Sequence, residues 1–125
     1  MQPLNSNHSR KRSERAGRWA ENIAAWYLRA RFFSILDQRY KSPGGEIDII
    51  ARRGDLIVFV EVKMRKNASR MAEALQAVNQ RRIIRAAYFY LAQNPDFADK
   101  TLRFDVLFLA PFTWPTHLMG AFEET

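Results

Sequence analysis

Three charged residues lie within two otherwise apolar segments of this chain. Asp48 is surrounded by isoleucines, and Glu61 and Lys63 alternate with valines. Charged side chains inside an apolar strand cost free energy unless a partner satisfies them. Two carboxylates and one ammonium group are suited to a divalent metal ion and a phosphate. The pattern therefore indicates chemistry on a phosphate-containing substrate.

A tight turn at Gly54-Asp55 would bring these two segments together. This dipeptide has the composition of a two-residue hairpin loop between two strands. If only these two residues form the loop, counting back along both strands places Asp48 opposite Glu61. Directly opposed side chains point to the same face of the sheet, with Cβ atoms about 5 Å apart. A three-residue loop would break this pairing.

Two carboxylates so close together repel each other and need a cation. Mg²⁺ is the better candidate, because it prefers oxygen ligands and keeps several waters, whereas Lys63 offers only its ammonium group. The metal could activate a water and stabilise the charge of a phosphoryl transition state, while Lys63 positions the water or neutralises the phosphate. Glu21, on the face of the first helix that holds Gly17 and Ala24, could add a carboxylate or act as a base.

Simpler interpretations remain open at this point. Glu61 and Lys63 could form an ordinary ion pair on the exposed face of an edge strand. Asp48 could pair with Lys63 or Arg65, and Glu21 could be a solvated helix residue. The two histidines show no ligand spacing, and we expect His8 in a tail and His117 on the surface.

Hydrophobic periodicity predicts an α/β fold with a mixed four-stranded sheet flanked by helices, in the order α-β-β-β-α-β. The long second helix would connect the third and fourth strands as a parallel pair. The tail from Trp114 to Phe122 is expected to pack back through its aromatic residues. The predicted elements are a helix from an N-cap at Ser13 to about Arg31, strands over 33–40, 46–52 and 56–64, a loop over 41–45, a helix over 71–92 and a strand over 101–109.

The first helix carries an apolar stripe that is expected to face the core. Its members recur at helical spacing. They are Trp19, Ile23, Trp26, Tyr27 and Ala30.

Length and composition predict one domain over residues 13–125, preceded by a flexible basic arm over residues 1–12. The 125 residues include no cysteine, and no apolar run is long enough to span a membrane, so we expect a cytoplasmic protein. The formal net charge of +7 favours a polyanionic partner. Much of the excess lies near the start of the chain and within the predicted second helix, at Arg10, Lys11, Arg12, Arg15, Arg18, Arg81, Arg82 and Arg85.

Several motifs give the chain a resemblance to the YraN family of small uncharacterised bacterial proteins, which have a restriction-endonuclease-like fold. The resemblance covers roughly residues 14–122. Through this family the chain is similar to the PD-(D/E)xK nucleases, which include archaeal Holliday-junction resolvases. The motifs are Gly17-x-x-x-Glu21, Gly44-Gly45-Glu46-Ile47-Asp48, Phe59-Val60-Glu61-Val62-Lys63 with Arg65, Arg103-Phe104-Asp105-Val106, Trp114 and Ala121-Phe122.

The resemblance implies roles for individual residues. Asp48, Glu61 and the carbonyl group of Val62 would hold Mg²⁺ or Mn²⁺, Lys63 would be catalytic, and Glu21 would be the superfamily's helical glutamate. Two positions depart from related patterns. Ile47 rather than proline precedes Asp48, as is usual in the family, and Asn79 stands where similar proteins commonly have lysine.

Three functions follow as hypotheses, in this order. The first is a Mg²⁺-dependent nuclease acting on DNA more readily than RNA, selective for structure and similar to a Holliday-junction resolvase. The second is a nucleic-acid-binding module without catalysis. The third is a structural protein that binds an acidic partner protein. Whether the protein forms a homodimer is left open by the sequence. The residues expected to contact phosphates are Arg15, Arg18, Arg65, Arg81, Arg82 and Arg85.

Overall fold

A computed structural model describes residues 3–64 and 78–123, with side chains from Gly17 onward in the first helix. None of the helices in these ranges combines the length and apolar character needed to cross a bilayer. The elements are α1 (Pro3–Ala30), β1 (Ser34–Ser42), β2 (Gly45–Arg53), β3 (Leu56–Met64), α2 (Gln80–Gln93), a 3-10 turn (Pro95–Phe97), β4 (Thr101–Leu109) and β5 (Thr116–Phe122).

All five strands form one mixed sheet in the order β1-β2-β3-β4-β5. Neighbouring strands are antiparallel except β3 and β4, whose predicted parallel pairing is confirmed. The predicted four-stranded sheet is wrong by one strand. The aromatic tail does pack back, but it does so as β5, which pairs with the edge of β4 that would otherwise present unpaired backbone groups.

The β1–β2 and β2–β3 turns each contain two residues. Gly54 has a φ of 61°, a conformation that glycine adopts without steric cost, and Arg53 pairs with Leu56 as predicted. The predicted loop over 41–45 is shorter in the structure. β1 continues to Ser42, which pairs with Gly45, so only Pro43 and Gly44 form that turn.

The sheet separates two hydrophobic clusters, so the central strands are buried on both faces. This explains why β2 and β3 read as almost continuous apolar runs. The cluster under α2 includes Ile50, Phe59, Ile83, Tyr90 and Phe104. The cluster under α1 includes Ala24, Leu28, Ile49, Val60 and Leu107.

The predicted apolar stripe of α1 lies mostly on the outer face of the helix, although Tyr27 packs against the core. Trp19 is 52% exposed and Trp26 70% exposed, and Ile23 is also exposed. The face on the sheet consists instead of small residues and one leucine: Ala20, Ala24, Ala25 and Leu28. Alanine lets a helix approach a sheet closely, and indole rings between the two layers would hold them apart.

The ends of both helices also differ from expectation. α1 begins at Pro3 rather than at an N-cap at Ser13, while the flexibility of the arm and the extent of the domain stay predictions. α2 begins at Gln80, capped by Asn79, whose side chain accepts a hydrogen bond from the Arg82 N–H. Residues 78–79 are not helical, so the predicted helix over 71–92 is confirmed only from Gln80 onward, and residues 71–77 lie outside the described part of the chain. Its end before Asn94-Pro95 is as predicted.

A fully buried carboxylate ties β5 to β4. Asp105 accepts two hydrogen bonds from Arg103 at 2.8 Å and one from the Gly120 N–H at 3.0 Å, and it lies 2.7 Å from Nε2 of His117. Nδ1 of His117 is 3.4 Å from the Tyr27 hydroxyl on α1. The expected surface position of His117 is therefore wrong, because its side chain is only 8% exposed.

We expect Asp105→Asn to lower the free energy of unfolding at pH 7 by about 3 kcal/mol, because buried donors lose a charged acceptor. Burial alone would raise the pKa of Asp105, but hydrogen bonds from His117, Arg103 and Gly120 outweigh burial and lower the pKa to about 2. Stabilisation from Asp105 is therefore complete above its unfolded pKa near 3.8 and lost as the pH falls toward 2. Chemical denaturation from pH 2 to 7 measures both effects. Asp99→Asn is the control, because the Asp99 side chain is exposed. An Asp105→Asn protein with the same free energy of unfolding as wild type would contradict this role.

The turn between β1 and β2 contacts α2 through glycine. A Cβ atom on Gly45 would collide with the backbone carbonyl of Arg82, and one on Gly44 would lie 2.9 Å from Cβ of Arg85. The absence of side chains at this turn therefore sets how closely β2 approaches α2.

Gly45→Ala should destabilise the protein by about 1–3 kcal/mol, because the backbone of α2 must move. Gly17→Ala is the matched control. A Cβ at Gly17 meets nothing within 4 Å, so alanine in the α1 helix should be neutral or stabilising by up to about 1 kcal/mol. Thermal unfolding of both variants tests this, and equal melting temperatures would contradict the close approach.

Candidate active site

The candidate site forms where β2 and β3 stop pairing. The last ladder pair is Ile49 with Val60, one pair before the expected Asp48–Glu61 pair. In place of the next backbone bond, Oδ2 of Asp48 accepts a hydrogen bond of 2.8 Å from the Val62 N–H. The strands can part here because a side chain satisfies the freed backbone group. Asp48 is thereby fixed beside Glu61.

Glu61 has a strongly perturbed acidity. Its pKa is raised to about 9, first because the carboxyl is buried, then because it hydrogen-bonds to Asp48 and lies close to the charge of that residue. Glu46 raises the pKa further and Lys63 lowers it. In the metal-free protein, burial and the neighbouring Asp48 therefore favour the protonated form of Glu61 at neutral pH. The carboxylates are close enough to form one site, as predicted from the turn.

Lys63 lies on the same face of β3 as Glu61. Its Nζ is 3.8 Å from Oε2 of Glu61, too long for a hydrogen bond. The geometry alone would describe an ion pair, but we favour a neutral Glu61 because burial and Asp48 raise its pKa more than Lys63 lowers it. β3 is the central strand of the sheet, so an ordinary ion pair on an exposed edge strand does not describe these residues.

The backbone of Val62 points toward this opening. In an antiparallel ladder, the N–H and C=O of one residue face the same neighbouring strand. Since the Val62 N–H reaches Asp48 on β2, its carbonyl faces β2 as well, beyond the last ladder pair. The Val62 side chain lies on the face of the sheet opposite to that of Glu61, where it packs against the cluster under α1. Val62 thus presents a carbonyl oxygen on the Asp48 side of β3.

Asp48 and Glu46 line two clefts on opposite faces of the sheet. The α2 cleft, of about 280 Å³, also contains Glu61, Lys63, Asn79 and Arg82. The α1 cleft, of about 330 Å³, contains Arg18, Glu21, Arg39 and Lys41 instead. The structure therefore brings Asp48, Glu61 and Lys63 together, and it places Glu21 on the other side of Asp48.

Glu21 is held by a residue that the sequence reasoning missed. Nε of Arg39 donates a hydrogen bond of 2.8 Å to Oε1 of Glu21. Arg39 lies on β1 between Gln38 and Tyr40, which pair with the two β2 residues on either side of Asp48. Its φ of 57° is unusual for a residue with a side chain. Strained residues often occur at functional sites. No feature of the sequence indicated this conformation.

The predicted phosphate-contacting arginines are only partly described. Arg18 lines the α1 cleft and Arg82 lines the α2 cleft. Arg81 and Arg85 are exposed on α2. The side chain of Arg15 and all of Arg65 lie outside the described part of the chain, so an Asp48–Arg65 pair stays a prediction. Asn79 serves as the N-cap of α2.

We expect the metal-free protein to lose stability as the pH rises from about 5 to 9. A carboxyl group whose folded pKa is raised stabilises the fold below its unfolded pKa, and this contribution disappears as the pH passes the folded pKa. Glu61→Gln should remove this pH dependence and raise the free energy of unfolding at pH 8 by on the order of 2 kcal/mol. Denaturation in EDTA at pH 5 and pH 8 measures the effect. A wild-type protein equally stable at both would show that Glu61 is ionised.

Comparison with known proteins gives a consistent family assignment. Residues 20–109 match the uncharacterised protein family UPF0102. A UPF0102 protein from Bradyrhizobium diazoefficiens is 44% identical over 99% of this chain and 93% of its own length. Another, from Methylocella silvestris, is 48% identical over 86% of this chain and 86% of its own length. A third, from Bartonella tribocorum, is 42% identical over 92% of this chain and 88% of its own length. The resemblance to the YraN family is confirmed, and the chain belongs to uncharacterised protein family UPF0102.

Proposed function

We propose that this protein is a Mg²⁺-dependent nuclease with a restriction-endonuclease-like fold. One observation carries the proposal: the Asp48 carboxylate is anchored on the Val62 N–H at the end of the β2–β3 ladder, beside Glu61 and Lys63. Carboxylates are rarely buried together unless a cation or proton compensates them. The cluster opens into a cleft that also contains Arg82, a group suited to phosphate.

The residues present fit a hard divalent ion. Asp48 and Glu61 offer carboxylate oxygens, and the Val62 carbonyl faces the same opening. The close approach of the two carboxyl groups raises the pKa of Glu61, and a bound cation would compensate their charge instead. When bound, Mg²⁺ or Mn²⁺ would supply Lewis acidity toward a phosphodiester and lower the pKa of a water.

The remaining polar groups have roles that follow from their positions. Lys63 can stabilise negative charge on the phosphate or orient a water. Arg82, on the opposite wall of the α2 cleft, can bind a neighbouring phosphate. Glu21, held by Arg39 in the α1 cleft, can orient groups on the far side of Asp48.

The substrate we propose is DNA rather than RNA, recognised by its backbone and shape. Arginines that bind phosphate fix the position of a protein without reading base sequence. A branched substrate such as a four-way junction has two-fold symmetry, which a homodimer would match. We also propose that the protein acts in the cytoplasm.

A nucleic-acid-binding module without catalysis is the second candidate. One observation favours it: within residues 17–64 and 78–123, no group of three or more acidic or histidine side chains is placed to hold a metal ion. The basic surface would then bind phosphates alone, and affinity would fall with salt.

Cleavage assays test the first candidate. Branched, single-stranded and duplex DNA and RNA are incubated with Mg²⁺ or Mn²⁺. We expect Glu61→Gln and Lys63→Ala each to reduce the cleavage rate at least about 100-fold. Asp55→Asn is the matched control, because Asp55 is 89% exposed at the other end of the same hairpin. Wild-type protein that cleaves none of these substrates, or undiminished cleavage by Glu61→Gln, would disprove the nuclease.

Metal titration separates the two candidates. We expect Mn²⁺ to bind wild-type protein in calorimetry and Asp48→Asn to weaken the binding at least about tenfold, because one of two carboxylate ligands is lost. Asp55→Asn should bind as wild type does. Wild-type protein that binds DNA but takes up no Mn²⁺ would support the module without catalysis.

A further inference from the structure

The outer face of α1 combines large apolar side chains with cations. Trp19, Ile23 and Trp26 are 52%, 36% and 70% exposed. Arg18 and Arg29 are exposed beside them. They occupy the side of the helix away from the sheet, since alanines and a leucine form the packed face. Two tryptophans exposed two turns apart on one face of a helix, with an exposed isoleucine between them, are costly to leave in water, so this face is suited to binding a partner.

Charge indicates which kind of partner. From Gly17 to Phe32, Glu21 is the single acidic residue, and it faces the sheet side, where Arg39 binds it. The described part of the outer face therefore carries positive charge and no negative charge. Pairing two copies through this face would bring arginines of like sign together. A polyanion complements both the charge and, through its bases, the indole rings.

The spacing of the two indoles suits an unpaired strand. Trp19 and Trp26 are seven residues apart, or about 10 Å along a helix of 1.5 Å rise per residue. Ile23 lies one turn from each and provides apolar surface between them. Aromatic side chains stack on unpaired bases of any sequence while nearby cations bind the backbone. In a duplex the base faces are already stacked and are not accessible to the indoles.

The face is continuous with the candidate active site. Arg18 adjoins Trp19 in sequence and lines the α1 cleft together with Asp48. A strand lying along the outer face of α1 can therefore approach Asp48 past Arg18. This route links the stacking surface to Asp48 on the α1 side of the sheet, while Glu61 and Lys63 line the α2 cleft.

We propose that Trp19 and Trp26 form a stacking surface for an unpaired segment of nucleic acid that leads toward the site at Asp48. This inference rests on the proposed function, because it specifies which part of the substrate α1 contacts. It predicts a preference for substrates with single-stranded regions near the point of reaction.

Binding is measured in EDTA, so that cleavage plays no part. The probes are a fluorescein-labelled 15-nucleotide oligothymidine and a labelled duplex of equal length. We expect Trp19→Ala and Trp26→Ala each to weaken oligothymidine binding about tenfold, with a much smaller effect on the duplex. Trp19→Phe and Trp26→Phe should restore most of the affinity because a ring remains. Trp114→Ala, which removes another exposed indole, is the control and should bind as wild type does.

The outcomes are distinct. Unchanged oligothymidine affinity in the double variant Trp19→Ala/Trp26→Ala overturns the stacking surface, provided that its melting temperature equals that of wild type. Sedimentation in the absence of nucleic acid gives a second test, because a dimer that the double variant converts to a monomer assigns the face to a second copy. Failure to cleave any substrate, with tryptophan-dependent binding intact, refutes the nuclease but leaves the stacking surface. Wild-type protein that binds neither probe refutes the stacking surface, and the cleavage assay with branched substrates then decides the nuclease separately.

Discussion

The hydrogen bond from the Val62 N–H to Asp48 is the interaction on which the rest of the site depends. A backbone donor near the centre of a sheet must be satisfied, and here a side chain takes the place of the next ladder bond. Because of this exchange, β2 and β3 can separate without an orphaned amide. The separation opens clefts on both faces of the sheet and leaves Asp48 exposed to each, next to Glu61 on one face and in the cleft of Glu21 on the other.

Local rules of strand and turn geometry made this part of the molecule predictable. The glycine of the hairpin fixed a two-residue turn, and the alternation of side chains along β2 and β3 then placed Asp48 and Glu61 on a common side. The bounds of β3 and β4 and their parallel pairing followed from apolar runs and a helical connection. The pattern did not show that the β2–β3 ladder ends early. That end depends on the Asp48 side chain, which takes the hydrogen bond of the Val62 N–H in place of a backbone carbonyl.

Predictions failed where packing between layers decides the outcome. Trp19 and Trp26 have the spacing of a core stripe, but the face of α1 on the sheet is built mainly from alanines and Leu28. The sequence of the helix alone does not show how closely the sheet approaches it. The buried network of Asp105 and His117 was also missed. One signal was present, since Asp105 is the single acidic residue of a largely apolar strand, and an acid in an apolar strand is also what drew attention to Glu61. β5 was recognised only as a tail because glycine and a polar residue interrupt its alternation.

The contact between Gly45 and the Arg82 carbonyl has a mechanical consequence. Asp48 follows three residues after this glycine on the same strand, and the Arg82 guanidinium belongs to the helix that the strand touches. The distance between β2, which carries Asp48, and α2, which carries Arg82, is thus set by a contact between main-chain atoms. Unlike side chains, these atoms do not change rotamer. Any displacement of α2 by a bound polyanion would be transmitted directly to the strand that holds the aspartate.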